Sequence, residues 1–319
     1  MDLSKTTSAE QIVTITEFED DAFDIIGCED LDAEAIVKPS LTYWKDVWRR
    51  FKGNKLALLG LILIAVVIFL TFAGPAMSGH DYTRMEYSLK NQTPSAEHWF
   101  GTDDAGRDIF ARVCMGGRVS ILIGVLCTFV MFVIGATLGG LAGYKGGLID
   151  DIIMRSVEII GSLPYMVIVI LLSITLGRGM FSLVFAMTLT SWGGTTRLVR
   201  GQILKIKNQE FVLAARALGA GSKRIILKHL LPNAMGIIMV AITFSIPGFI
   251  FGEAFLSFIG IGIQPPETSW GALASAAKNQ LMFFPYQLFF PSLMIVITML
   301  AFNLIGDGLT DALDPKLRQ

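Results

Sequence analysis

The stretch LALLGLILIAVVIFLTFAGPAMSG, Leu56 to Gly79, runs for 24 residues without an Asp, Glu, Lys or Arg. A helix crossing the hydrocarbon core of a bilayer needs about 20 mainly apolar residues, because with water gone every backbone amide must be bonded inside the segment. Reading this stretch as a membrane-spanning helix decides the fold class, and the rest of the chain agrees. Five further stretches lack the four charged residue types: Val119 to Tyr144, Ile159 to Gly177, Gly179 to Thr196, His229 to Gly252 and Asn279 to Gly306. Only Arg178, between Gly177 and Gly179, divides the third stretch from the fourth. That spacing predicts a tight turn joining two antiparallel helices. Of 319 residues, 53% are hydrophobic and 17% charged, against about 25% charged in an ordinary soluble domain. Mean hydropathy is +0.59. The expectation is an all-α membrane protein with six transmembrane helices.

An even number of crossings puts both termini on one side, and the Lys/Arg bias of the connections says which side that is. Beyond residue 40, the connections at Lys45–Lys55, Lys145–Arg155, Arg197–Lys228 and Lys316–Arg318 hold 17 basic residues. The opposite set, with Arg84, Lys90, Arg107, Arg112, Arg118, Arg178 and Lys278, holds 7. Both N- and C-termini are therefore expected in the cytoplasm. The net charge of −1 excludes a broadly basic nucleic-acid binder, so no nucleic acid is expected as a partner. It conceals an asymmetry, because residues 1–40 carry 11 acidic and 2 basic side chains. This acidic cytoplasmic extension is expected to be disordered. A weak apolar spacing at Ile12, Ile15, Phe18, Ile25 and Ile26 leaves open a helix that folds on a partner. The first 30 residues have neither the basic n-region nor the apolar h-region of a secretory signal.

In segment 41–55, Leu41, Trp44, Trp48 and Phe51 recur at helical spacing among Lys45, Arg49, Arg50 and Lys52. Two readings are open: an amphipathic helix lying against membrane lipid in the inner headgroup layer, or a plain cytoplasmic extension of the first span. The remaining divisions are the first span at 56–79, an extracellular loop at 80–118, a transmembrane core at 119–310 containing a cytoplasmic loop at 197–233, and a cytoplasmic tail at 311–319.

The motifs GxxxxGK[ST], HExxH and GxSxG are absent, so a non-catalytic chain is expected, and any ATP it uses must be bound by another polypeptide. Cys28, Cys114 and Cys127 form no CxxC pair, which indicates neither a disulfide framework nor a zinc site. His80, His98 and His229 are too dispersed in sequence to suggest a metal centre. The loop RLVRGQILKIKNQEFVLAARALGAGSKRIILKHLLPN, Arg197 to Asn233, says more. Glu210 to Leu218 is free of Gly and Pro and rich in helix formers; Gly219 and Gly221 then supply a stop, and Pro232 restarts the chain near the membrane. The small residues Ala214, Ala215 and Ala217 would let such a helix sit close against another surface. That surface is either a docking partner or the chain's own bundle.

This loop resembles the signature of the membrane permease subunits of binding-protein-dependent ABC importers: Glu-Ala-Ala, three residues, Gly, then an Ile-x-Leu-Pro ending. Here it stands as Leu213-Ala214-Ala215-Arg216-Ala217-Leu218-Gly219, ending at Leu231-Pro232, with Leu213 in place of Glu and His229 at the Ile position. The resemblance covers nearly everything from 41 to 319 and is nearest to the C-type permeases of oligopeptide and dipeptide importers. It includes Trp44 to Gly60, His98-Trp99-Phe100-Gly101-Thr102-Asp103, Gly106-Arg107-Asp108, Arg118-Val119-Ser120, Gly143-Tyr144-Lys145-Gly146-Gly147, Pro265-Pro266 with Ser269-Trp270-Gly271, and Asn303 to Arg318. It implies the type I ABC importer permease fold in the cytoplasmic (inner) membrane of a bacterium or archaeon. The implied partners are a second permease subunit, two ABC ATPase subunits that bind ATP and Mg, and an extracellular peptide-binding receptor. The chain itself would bind no cofactor. The implied cargo is a peptide, oligopeptides foremost, although the branch also includes carriers of nickel and glutathione. Glu210, Phe211, Val212, Leu213, Ala214, Ala215, Arg216, Ala217, Leu218, Gly219 and Gly221 would be the loop that couples to an ATPase.

Further candidates lie elsewhere. Asp103, Arg107 and Asp108 stand just before the second span, where they either face the receptor and gate or cap and neutralise the start of that helix. Pro265 to Gly271, with Trp270, is expected in the other outer loop. Glu253, at the end of the fifth span, would cost about 2.5 to 3.5 kcal/mol in mid-bilayer, so it should face the pore, a partner or the outer interface. Pro164 and Pro247 interrupt apolar stretches. A secondary transporter would want internal repeats and ionisable groups in mid-membrane, and neither is evident; a membrane assembly factor is a third class.

Overall fold

The computed structural model describes residues 43–313; the acidic extension 1–40, Leu41 and the end of the predicted tail lie outside them. The described residues are dominated by helices. α1 (Tyr43–Gly53) is followed directly by α2 (Lys55–Ser78). Asn54 makes the junction: its Oδ1 accepts from the amides of Leu56 and Ala57, an N-cap, and its Nδ2 donates to Asp311, far along the chain. A polar loop with a single 3₁₀ turn (Tyr87–Leu89) leads to α3 (Ile109–Lys145). α4 (Gly147–Gly161) and α5 (Tyr165–Thr175) meet at 85°. α6 (Met180–Ile206) precedes the short α7 (Glu210–Ala217). α8 (Ser222–Arg224) passes through a π-helical segment (Ile225–Leu230) into α9 (Leu231–Phe258), and α10 (Trp270–Ala277) and α11 (Tyr286–Leu313) complete the order.

The α3–α6 pair organises the bundle. Gly135, Gly139 and Gly143 recur once per turn on α3 and meet Thr195 and Thr196, then Thr196, Val199 and Arg200, then Arg200 and Ile203. Both sets of numbers rise together, so the two helices run parallel. A Cβ at Gly139 would stand 2.5 Å from the Thr196 carbonyl oxygen, so only glycine permits this backbone approach, the packing mode favoured between membrane helices. Parallel neighbours require the chain to return between them, and α4–α5 is that return. α9 runs antiparallel to α3, since Gly124 meets Ile246 and Ile250 while Gly140 meets Ile226 and Leu231.

The third apolar stretch is not one straight helix. It breaks at Ser162–Pro164, because Pro164 has no N–H to continue the ladder from α4 and disfavours helical backbone at the residue before it. Four helices are long and apolar enough to cross a bilayer alone (Lys55–Ser78, Ile109–Lys145, Ser222–Phe258, Tyr286–Leu313), and α4 with α5 makes a fifth if the bent pair is one span. α6 holds the fourth stretch but also Arg197, Arg200 and Lys205.

The main core joins α3, α5, α6 and α9 through Ile123, Cys127, Val169, Leu183, Met187 and Leu256. Large apolar side chains such as Ile62, Phe69, Phe72, Phe129 and Phe289 stay exposed on the outside, as a lipid-facing surface requires. α1 departs from the predicted stripe. Val47 and Phe51 pack on Ala57 and Ala312, while Trp44 and Trp48 remain half exposed. Phe51 therefore faces protein, because the end of α11 offers it an apolar seat.

Candidate functional site

α7 is seated by one face and open on the other. Val212 (0% exposed) and Ala215 are buried, Val212 in the cluster of Val199, Ile203, Ile225 and Leu230. Phe211, Leu213, Ala214, Ala217 and Leu218 point outward with Glu210, and Leu218 is 88% exposed. Ala215 thus contacts the chain's own bundle; of the three small residues singled out in the sequence, only Ala214 and Ala217 face away from it. The helix end is a Schellman motif: Gly219 N donates to Arg216 O (2.9 Å) and Ala220 N to Ala215 O (3.0 Å). Gly219 takes φ +79°, a left-handed backbone that glycine adopts without a Cβ clash. Gly221 then precedes the next helical turn.

The base under α7 is cross-linked by polar contacts. Arg200 on α6 donates through Nε and Nη2 (2.5 Å each) to the two carboxylate oxygens of Asp150 on α4, a bidentate pair. Lys207 Nζ donates to Gly143 O at the end of α3 (3.1 Å), and the Arg216 guanidinium lies over the Tyr144 ring at 5.5 Å. Sequence reading missed Asp150 and Arg200, which are 50 residues apart.

At the other end of α3, the candidate acids and arginine come together. Asp108 is the N-cap of α3, with Oδ1 accepting from Ala111 N (2.7 Å) and Oδ2 from His98 Nδ1 (2.9 Å). Asp103 Oδ1 accepts from the amides of Ala105 and Arg107; its Oδ2 accepts from Arg107 Nε (2.8 Å) and from Arg112 Nη1. The loop is fastened to α11 by Tyr286 Oη donating to Gln92 O (2.9 Å) and by Gln287 Nε2 donating to Asn91 Oδ1 (2.9 Å). Nearby, the amide and hydroxyl of Thr83 hold the Asp81 carboxyl below the usual carboxylate range.

Glu253 is fully buried. It accepts from Ser120 Oγ of α3 (2.8 Å) and Ser257 Oγ of α9 (2.7 Å). Ser120 Oγ in turn accepts from Trp270 N (3.2 Å), so a single carboxylate ties α3, α9 and α10 together inside the bundle. Trp270, expected in an outer loop, belongs to the core: it is 0% exposed, its indole Nε1 donates to Val113 O (2.9 Å), and its ring fills the space that a side chain at Gly117 would take. A buried indole needs both an apolar seat and a partner for its N–H, and α3 supplies both.

The comparisons with known proteins agree with this arrangement. Residues 135–319 match the binding-protein-dependent transport system inner membrane component, and residues 42–94 match the N-terminal TM domain of oligopeptide transport permease C. The chain is 48% identical over 288 residues to the oligopeptide transport system permease protein OppC of Bacillus subtilis, covering 90% of this chain and 94% of that one. It is also 48% identical over 289 residues to the dipeptide transport system permease protein DppC of the same organism, covering 90% of each. A chain of the MetNI methionine ABC transporter in an inward-facing conformation superposes with a TM-score of 0.51 at 20% identity, over 64% of this chain and 96% of that one. The type I ABC permease fold expected from the sequence is the one observed. Helices in a bilayer-spanning bundle, a short seated helix carrying the family's loop signature, and near-full-length similarity converge: this chain belongs to the binding-protein-dependent transport system inner membrane components, the permease subunits of ABC importers.

Proposed function

We propose that this chain is a non-catalytic, pore-forming subunit of an ATP-driven peptide importer. It crosses the membrane six times with both termini in the cytoplasm: α2, α3, the bent α4–α5 pair, α6, α9 and α11. It pairs with a second permease, receives substrate from an extracellular binding protein, and takes mechanical input from two ATPase subunits that bind ATP and Mg. The observation that carries this reading is α7: a helix locked to its own bundle through Val212 yet presenting Phe211, Leu213 and Leu218 to the outside. Exposed apolar side chains on a cross-linked support favour a protein partner. The parallel α3–α6 pair supports six crossings, since it needs a return crossing between its members. The names of the relatives support peptides as cargo.

In this mechanism, closure of the ATPase dimer moves α7, and the permease changes state only because its two states meet the dimer differently. During that change Glu253 fastens α3, α9 and α10 to one another, and Asp103 fastens the outer loop to the start of α3. The test is to purify the tagged chain from its own host in mild detergent and weigh what accompanies it in near-equal amounts. A second permease and two P-loop ATPases, with ATP hydrolysis stimulated by peptide and receptor, is the expected result; a homo-oligomer lacking an ATPase refutes it and revives the secondary transporter.

A further inference from the structure

We propose that His80 and His98 form a site for a divalent first-row transition metal, Zn²⁺ the best match, at the junction of α2 and α3. Nothing in the transport reading requires this site. The two histidines, 18 positions apart, stand with ring centroids 4.6 Å apart, and Asp108 lies beside them, one donor atom of each of the three falling within 4.8 Å of the others. They line a pocket of about 380 Å³ whose wall carries Asp81, Glu86 and Glu97 besides Asp108, against one cation, Arg84. Arg84 is itself held by Glu86 at 2.6 Å.

The hydrogen bonds settle which ring nitrogens are free. A backbone carbonyl can only accept, so the 3.2 Å contact between His80 Nε2 and Glu97 O places the proton on Nε2 and leaves the lone pair on Nδ1. The Asp108 carboxylate accepts from His98 Nδ1, which leaves the His98 Nε2 lone pair. That Nε2 is buried, on a side chain only 4% exposed, and has no hydrogen-bond partner among the described residues. Metal-bound histidines carry this arrangement: one nitrogen toward the ion, the other donating to a carboxylate or carbonyl that fixes the ring. Two imidazoles beside carboxylates suit Zn²⁺ and its neighbours over the hard cations Mg²⁺ and Ca²⁺. Asp108 then has two duties, capping α3 and aiming His98, while the bound ion links the end of α2 to the start of α3.

The test uses the full chain in its native complex, carrying a tag without histidine, stripped by a chelator and titrated with Zn²⁺ against a chromophoric competitor. One Zn²⁺ per chain is expected, with Co²⁺ giving the visible d–d absorption of a nitrogen-ligated site. His80→Gln, a half-buried position outside both helices, should weaken Zn²⁺ at least tenfold. Asp108→Asn, which keeps an N-cap acceptor, should weaken it about ten- to hundredfold. No stoichiometric Zn²⁺, or a His80→Gln complex that titrates like the parent, overturns the proposal, and neither result bears on transport.

Discussion

Replacing Gly219 by alanine and by proline separates the seating of α7 from its ability to transmit force. Alanine keeps both Schellman bonds but must hold a left-handed backbone at φ +79°, at a cost of about 1–2 kcal/mol. Burying Val212 completely stabilises the seated helix by about 1.5–3 kcal/mol. The middle of the alanine range, about 1.5 kcal/mol, lies below the middle of the anchor's, about 2 kcal/mol, so α7 stays seated for most of the time and uptake should fall severalfold at most. Proline fixes φ near −65° and removes the donor to Arg216 O, so the motif cannot form; the cost of about 3 kcal/mol or more matches or exceeds the anchor. Peptide uptake into proteoliposomes holding the full complex should vanish, while hydrolysis of ATP continues without peptide stimulation and the chain still inserts in the membrane. Uptake near the parental rate in Gly219→Pro, or an equal loss in both variants, would refute the reasoning.

Leu218→Asp places a charge on the most exposed apolar residue next to α7, so co-purification of the ATPase should drop while thermal unfolding of the chain in detergent stays unchanged. Ala215→Arg drives a guanidinium into the seat of α7 and should abolish uptake with the protein still in the membrane; transport near the parental rate would remove α7 from the coupling role. Glu253→Ala leaves the hydroxyls of Ser120 and Ser257 without their acceptor, each costing about 1–3 kcal/mol, and should lower the thermal midpoint in detergent; unaltered substrate-stimulated hydrolysis in Glu253→Gln, which can still accept, confirms a purely structural duty. Gly139→Leu must push Thr196 and Val199 away from α3, and loss of folded protein in the membrane is the expected readout.

The long apolar helices were legible because each rests on a local pattern, a long run without charge with a Gly or Pro near its end; α4, which carries Asp150, Asp151, Arg155 and Glu158, and α10, in a stretch read as an outer loop, were not. α7 was legible from a local pattern too, a Gly-free turn that stops at Gly219. What the sequence hid depends on distant pairing. The orientation of α7 follows from Val212 meeting Ile225 and Leu230, so Ala215 could not be told from Ala214. His80 and His98 looked dispersed because a loop closed by Thr102, Tyr286 and Gln287 brings them together. The duty of Glu253 is set by Ser120, 133 residues away.

α3 has 37 residues, about 55 Å of helix at about 1.5 Å per residue, against about 30 Å of hydrocarbon. Fused to α6 by the glycine row, it behaves as a stiff beam with the Tyr144–Arg216 contact near one end and Asp108 at the other. For a beam of that length, each degree of pivot about one end sweeps the other by about 1 Å. A pivot of a few degrees at the α7 end would therefore carry the His98–Asp108 end through a few ångströms, by length alone, and a clamp on that end would resist the swing of the whole beam.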